Sequence, residues 1–252
     1  MLVVAAALTF LIGGVLGMLG GGGSVLVLPV LLYVLGLEPK AALLTSQVLL
    51  AVASAVAVTV HIRAGRVSFS TGLLFGAASM FGAYLGGRAA CYVPAQLLLL
   101  GFTGLMLLSA FQMLRGRRAG AAAGKTAPPG RRGLPWRGSA VGFPTGVVAG
   151  LLGVGGGFMI VPALILIAGL PIERAVGTSL LIIALQSTAG AAGYMRHASA
   201  DAQMVGVLAI AMASGSVCGG LLSQRLPGTL LRRLFAILLL AIALLMLIRN
   251  LW

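Results

Sequence analysis

Gly17-Met18-Leu19-Gly20-Gly21-Gly22-Gly23-Ser24-Val25-Leu26-Val27-Leu28-Pro29 is answered later in the chain by Gly150-Leu151-Leu152-Gly153-Val154-Gly155-Gly156-Gly157-Phe158-Met159-Ile160-Val161-Pro162. The offset between the stretches is 133 residues, and it holds well beyond them. It carries Gly36-Leu37 onto Gly169-Leu170, Thr45-Ser46 onto Thr178-Ser179, Ser54 onto Ser187 and Gly86-Gly87 onto Gly219-Gly220. Pro94 falls on Pro227 and Phe102 on Phe235, with no gap anywhere. Shared apolar composition does not keep Gly, Pro, Thr and Ser in register over such a distance, so the chain reads as an internal duplication.

Composition decides the solvent. Of 252 residues, 60% are hydrophobic and 8% charged, whereas a soluble domain is about one quarter charged. Such a chain has too little polar surface to face water, and it reads as an integral membrane protein with one membrane domain. The net charge is +14. Most cations lie in short loops between apolar runs, which fits membrane topology and contact with anionic lipid headgroups. No basic face interleaved with aromatics is present, so nucleic acid is not an expected partner. Cys91 and Cys218 are not related by the offset and make no disulfide framework. The start, Met1-Leu2-Val3-Val4-Ala5, lacks the basic region of a cleaved signal peptide.

Each repeat holds four apolar segments, at 2–36, 41–62, 67–88 and 94–115, then at 138–170, 174–196, 200–222 and 227–249. The last three of each set suit one crossing at about 20 residues per span. The leading segment is too long for one straight helix and too short for two full crossings. Glycine runs interrupt it, and consecutive glycines are poor helix formers, by about 1 kcal/mol each. The expectation is a broken helix or a re-entrant hairpin. The fold class expected is all-α and polytopic, with a first membrane repeat over 1–115, a basic linker over 116–137 and a second membrane repeat over 138–252.

The linker is rich in Gly, Ala and Pro and carries seven cations counted with Arg115, which places it in the cytoplasm. If each half crosses four times, the halves are parallel and 11 of 17 cations lie inside. If the broken segment re-enters, each half crosses three times, the halves are inverted and 13 of 17 lie inside. The inverted arrangement fits better.

Hydrocarbon does not tolerate unpaired backbone, so glycine runs there must be packed in protein or line a wet cavity. A break frees N–H groups, and the N-terminus of the following half-helix attracts anions. Transporters place such breaks at the midplane between repeats. Gly22, Gly23 and Ser24 in one half and Gly155, Gly156 and Gly157 in the other are therefore candidate substrate contacts, with close helix packing as the alternative use. Thr45, Ser46, Thr178 and Ser179 follow a polar turn. They suit helix capping, helix–helix hydrogen bonding or contact with an anion. Gln47 stands against Leu180, and Gln186 against Ala53, so these two are polar groups able to orient a ligand asymmetrically.

The acidic residues are Glu38, Glu173 and Asp201, in loops or at a segment start. A relay of intramembrane carboxylates is not expected. His61 and His197 lie near segment ends and are expected at the interface. No HExxH, no cluster of Cys, His and Asp, and no paired carboxylates point to a metal, a cofactor or catalysis.

The two glycine runs ending in Val27-Leu28-Pro29 and Ile160-Val161-Pro162 are each followed by a related element. These elements are Ala41-Ala42-Leu43-Leu44-Thr45-Ser46 and Ala175-Val176-Gly177-Thr178-Ser179. Together they resemble the sulfite exporter TauE/SafE family of membrane permeases. The resemblance implies a multi-pass protein of the bacterial inner membrane. It would move a small sulfur-containing anion such as sulfite or an organosulfonate, by export, through alternating access around a central site. It implies no cofactor, a lipid environment and room for a homodimer. A non-transporting membrane assembly factor or an intramembrane enzyme is the alternative. Gly21 and Ser24 stand where Val154 and Gly157 stand, so the two halves are not equivalent.

Overall fold

The computed structural model describes residues 2–115, 135–166, 168–195 and 198–223. Most of the linker, Arg196, His197 and the segment expected at 227–249 lie outside these residues. Every regular element among the described residues is helical. They are α1 (Leu2–Leu19), α2 (Gly22–Val34), α3 (Pro39–Arg63), α4 (Phe69–Ala90), α5 (Ala95–Arg115), α6 (Pro135–Leu152), α7 (Gly157–Leu166), α8 (Ile172–Tyr194) and α9 (Ala202–Leu222). Five of them, α1, α3, α4, α8 and α9, are long and apolar enough to cross a membrane.

Both leading segments break where the glycines stand. α1 stops before Gly20 and α6 before Gly153. The short helix that follows differs between the halves. α2 starts as a 3₁₀ turn over Gly22–Leu26 and ends as a π turn over Val30–Val34. Pro29 offers no N–H to the ladder, which accounts for the widening after it. α7 is a plain α-helix of ten residues that carries Pro162.

Helix packing follows small residues. On α1, Gly13 and Gly17 lie against the carbonyls of Met212 and Ser216 of α9, so tightly that a Cβ at either would sit 2.1 and 2.0 Å from the oxygen. On α4, Gly82 and Gly86 lie in the same way on the carbonyls of Phe143 and Val147 of α6. Positions 13 and 17 become 146 and 150 under the offset, and these pack on Ser79 and Ala83 of α4. The first helix of each half, α1 or α6, therefore packs on the fourth helix of the other half, α9 or α4, not on its own. Without a hydrophobic drive between helices in lipid, close backbone approach of this kind is what holds them.

The order of the contacts gives the directions. Gly13 with Met212, then Gly17 with Ser216, makes α1 and α9 parallel. Ser216 donates to the Ala53 carbonyl at 3.0 Å and Gly220 faces Val60, so α3 runs the same way. Likewise α4, α6 and α8 run together, since Gly82 meets Phe143, Gly86 meets Val147 and Gly87 meets Gly190. Across the centre, Gln47 lies on Gly190 while His61 lies on Gly177, so α3 and α8 are antiparallel. The result is two parallel triplets, α1/α3/α9 and α4/α6/α8, pointing opposite ways and meeting along the α3–α8 seam. Each triplet draws on both halves of the sequence.

Candidate functional site

The breaks are built by helix-ending glycines. Gly20 has φ 64° and Gly153 φ 65°, the left-handed conformation that closes a helix one residue past its end. Beyond Gly153 the backbone makes a single return bond, Val154 N–H to the Ala149 carbonyl at 3.1 Å. Among the described residues no acceptor meets the N–H of Gly155 or Gly156, which lead into the N-terminus of α7. The first break is more closed. Ser24 turns back on Gly21, its N–H at 3.2 Å and its hydroxyl at 2.7 Å from that carbonyl. The two breaks touch: a Cβ on Gly157 would lie 2.3 Å from the Cα of Gly21.

The central helices reach across to these breaks. Ser46 of α3 donates to the Gly153 carbonyl at 2.7 Å, and Ser179 of α8 donates to the Gly20 carbonyl at 2.5 Å. Both serines and both acceptors are related by the offset of 133. The serines therefore hold the opposite half's break and do not cap their own helices, which begin at Pro39 and Ile172. Thr178 accepts the Ser68 N–H at 3.0 Å, an inter-helix tie. Thr45 is fully buried and its hydroxyl has no hydrogen-bond partner among the described residues.

Gln47 donates its amide to the Ala149 carbonyl at 2.8 Å. Gln186 donates to the Gly155 carbonyl. Their offset partners are Leu180 and Ala53, so no equivalent pair reaches the first break. The second break thus gathers Ser46, Gln47 and Gln186, while the first receives Ser179. The glutamine amides have fixed orientations, because a carbonyl only accepts and the NH₂ must face it. Each therefore keeps Oε1 as its uncommitted atom, and both Oε1 atoms are buried without a hydrogen-bond partner among the described residues. Ser54 and Ser187, related by the offset, also have buried, unpartnered hydroxyls.

Of the twelve candidate residues, Ser179 ties the first break, Thr178 binds the Ser68 N–H, Thr45 is buried without a partner among the described residues, and the other nine divide between the breaks. Gly155, Gly156, Gln186, Gln47 and Ser46 come together around the second break, with Gly157 against the first. Gly22, Gly23 and Ser24 belong to the first break. There Gly23 faces α1, where a Cβ would meet the Leu16 nitrogen at 2.7 Å and the Ile12 oxygen at 2.8 Å. Its lack of a side chain serves packing.

Three further polar residues escape a sequence reading. His61, expected at the interface, is 2% exposed, with Nε2 3.2 Å from the Gly17 carbonyl. Tyr194 holds the offset position in α8 and donates to the Leu151 carbonyl at 2.8 Å. Ser216 ties α9 to α3. The offset pairs positions 61 and 194, but a histidine and a tyrosine do not announce a common role. Of the acids, Asp201 caps α9 by accepting the Gln203 N–H at 2.9 Å.

The family model described as sulfite exporter TauE/SafE matches residues 5–246. The chain belongs to the sulfite exporter TauE/SafE family. A probable membrane transporter protein of Xylella fastidiosa (strain 9a5c) is 34% identical over 248 residues, 95% of this chain and 92% of its own. The probable membrane transporter protein YdhB of Bacillus subtilis (strain 168) is 28% identical over 210 residues, covering 83% and 84% of the two chains. YunE of the same organism, also described as a probable membrane transporter protein, is 24% identical over 217 residues. No solved structure matches the chain. With five helices among the described residues long and apolar enough to cross a membrane, and such relatives, this member of the TauE/SafE family is a multi-pass protein of a membrane transporter family, consistent with a bacterial inner membrane.

Proposed function

We propose that this TauE/SafE protein exports a small sulfur-containing anion, such as sulfite or an organosulfonate, and binds it at the second glycine break. The observation that carries this reading is the free N–H pair of Gly155 and Gly156 at the start of α7, inside the bundle. Backbone N–H groups and the helix dipole favour negative charge there, and burial strengthens the attraction. Ser46, Gln47 and Gln186 hold the neighbouring carbonyls, which turns those acceptors away from the anion. No carboxylate lies among these residues to oppose it.

The two opposed triplets support a reading of alternating access. Glycine-to-carbonyl contact stiffens α1 against α9 and α4 against α6. The α3–α8 seam and the two breaks are where one triplet rocks against the other. Repeats over 1–115 and 138–252 in inverted orientation account for the opposed triplets, with 116–137 as their cytoplasmic link. An odd number of transits separates α1 from α6 in that arrangement, because α2 returns the chain so that α3 runs parallel to α1.

The test is flux into liposomes containing the purified protein. Saturable sulfite or sulfonate flux is expected. In Gly156→Val, a Cβ would sit 3.0 Å from the Gln186 amide nitrogen on a left-handed backbone, and binding and flux should be lost. Gly23→Val, which presses on α1, should lower stability first. If Gly156→Val binds normally and only melts earlier, the anion site is not at this break.

A further inference from the structure

We propose that the transported anion brings its own hydrogen-bond donor: it is an oxyanion bearing an O–H or N–H group, which donates to Oε1 of Gln186. This rests on the reading that the second break holds the anion, and it narrows what that anion is. Gln186 is 1% exposed, and its amide nitrogen is committed to the Gly155 carbonyl. Its Oε1 is buried and has no hydrogen-bond partner among the described residues. A Cβ built on Gly156 would lie 3.0 Å from the amide nitrogen, so the Gln186 amide stands beside that glycine. Gln47 repeats the pattern nearby. Its nitrogen serves the Ala149 carbonyl, its side chain lies on Gly190 one turn along α8 from Gln186, and its Oε1 is also unpartnered.

The site therefore presents donors and acceptors side by side. Peptide N–H groups suit anionic oxygens, whereas glutamine oxygens set against the same oxygens repel them. A proton between the two removes the conflict. An anion carrying a hydroxyl, an acidic O–H or an ammonium fills both needs, while one that only accepts leaves Oε1 buried and unsatisfied. Sites built to bond a ligand's O–H reject the analogue that lacks it far more strongly than sites that merely enclose it.

The experiment is calorimetry on the full chain in detergent with three matched probes, ethanesulfonate, 2-hydroxyethanesulfonate and 2-aminoethanesulfonate, and with sulfite beside them. At least one donor-bearing probe should bind tenfold or more tightly than ethanesulfonate, and which one does so identifies the donor as hydroxyl or ammonium. In Gln186→Met the ratio of affinities between the donor-bearing probe and ethanesulfonate should fall to within about twofold, alongside a loss of affinity common to all the probes. If that variant does not fold, Gln47→Met and the wild-type series decide, with a reduced preference expected in the former. Equal affinity for the three probes overturns the donor requirement but leaves the anion site standing. If sulfite alone binds, affinity that falls as rising pH removes the hydrogen sulfite proton supports the requirement, and affinity that does not fall overturns it. A preference that survives Gln186→Met intact also overturns it. Failure of every probe, sulfite included, removes the anion site itself.

Discussion

The packing of α1 on α9 can be weighed within one helix. Gly219 and Gly206 both belong to α9, so replacing either with alanine brings the same helix-propensity gain, up to about 1 kcal/mol. Their surroundings differ. A Cβ at position 219 would lie 1.9 Å from the Gly14 carbonyl oxygen, whereas at 206 nothing lies within 4 Å. Carbon and carbonyl oxygen come no closer than about 3.3 Å even in favourable contact. The helices would have to part by about 1 Å or more, loosening the neighbouring contacts of Gly215 with Phe10 and Gly17 with Ser216. Overpacking of this kind costs about 1–3 kcal/mol. Propensity cancels in the comparison, so Gly219→Ala should be less stable than Gly206→Ala by that amount. Unfolding free energies from denaturant titration in mixed micelles would measure it. Variants of equal stability would refute the swapped glycine packing.

Further outcomes concern the seam, the acids and the topology. Ser46→Ala and Ser179→Ala each leave a buried glycine carbonyl without its donor and should each lose about 1–3 kcal/mol in the same titration. A large loss in one and none in the other would show that the paired bonds are not equivalent. Glu38→Gln and Glu173→Gln should keep substantial flux in liposomes, and complete loss in both folded variants would assign the loop carboxylates to coupling. An impermeant thiol reagent applied to intact cells should leave Gly124→Cys unmodified, and rapid labelling would place 116–137 outside.

Much of this arrangement was legible in the sequence. The glycine runs stood out because hydrocarbon gives them few uses, and both mark helix ends. Thr45-Ser46 and Thr178-Ser179 stood out by recurrence. Their partners did not, because a serine's acceptor across 107 or 159 residues of chain is set by tertiary packing. Capping was therefore an open reading for Ser46, and the helix start at Pro39 closes it. Gln47 and Gln186 read as asymmetric polar groups, yet only the crossing of α3 and α8 brings both to the second break. Gly23 and Gly156 are indistinguishable as letters. One faces its own α1 and the other a glutamine, a difference that depends on which way the backbone leaves Gly20 and Gly153. Nearness to a helix end suggests exposure for His61, whereas α1, α8 and α9 close around it.

The exchange of first helices between halves also sets a timetable for biosynthesis. α1 leaves the ribosome well before α9, and the carbonyls that its Gly13 and Gly17 rest upon belong to Met212 and Ser216. Some 200 residues separate them, which at about 5–20 residues per second amounts to roughly 10–40 s of translation. Through that interval α1 sits in the bilayer, or against the insertion machinery, with its glycine face uncovered. A ribosome halted in the linker would leave a nascent chain whose α1 and α4 both lack the helices they fit, so neither half can be finished before the other has been made.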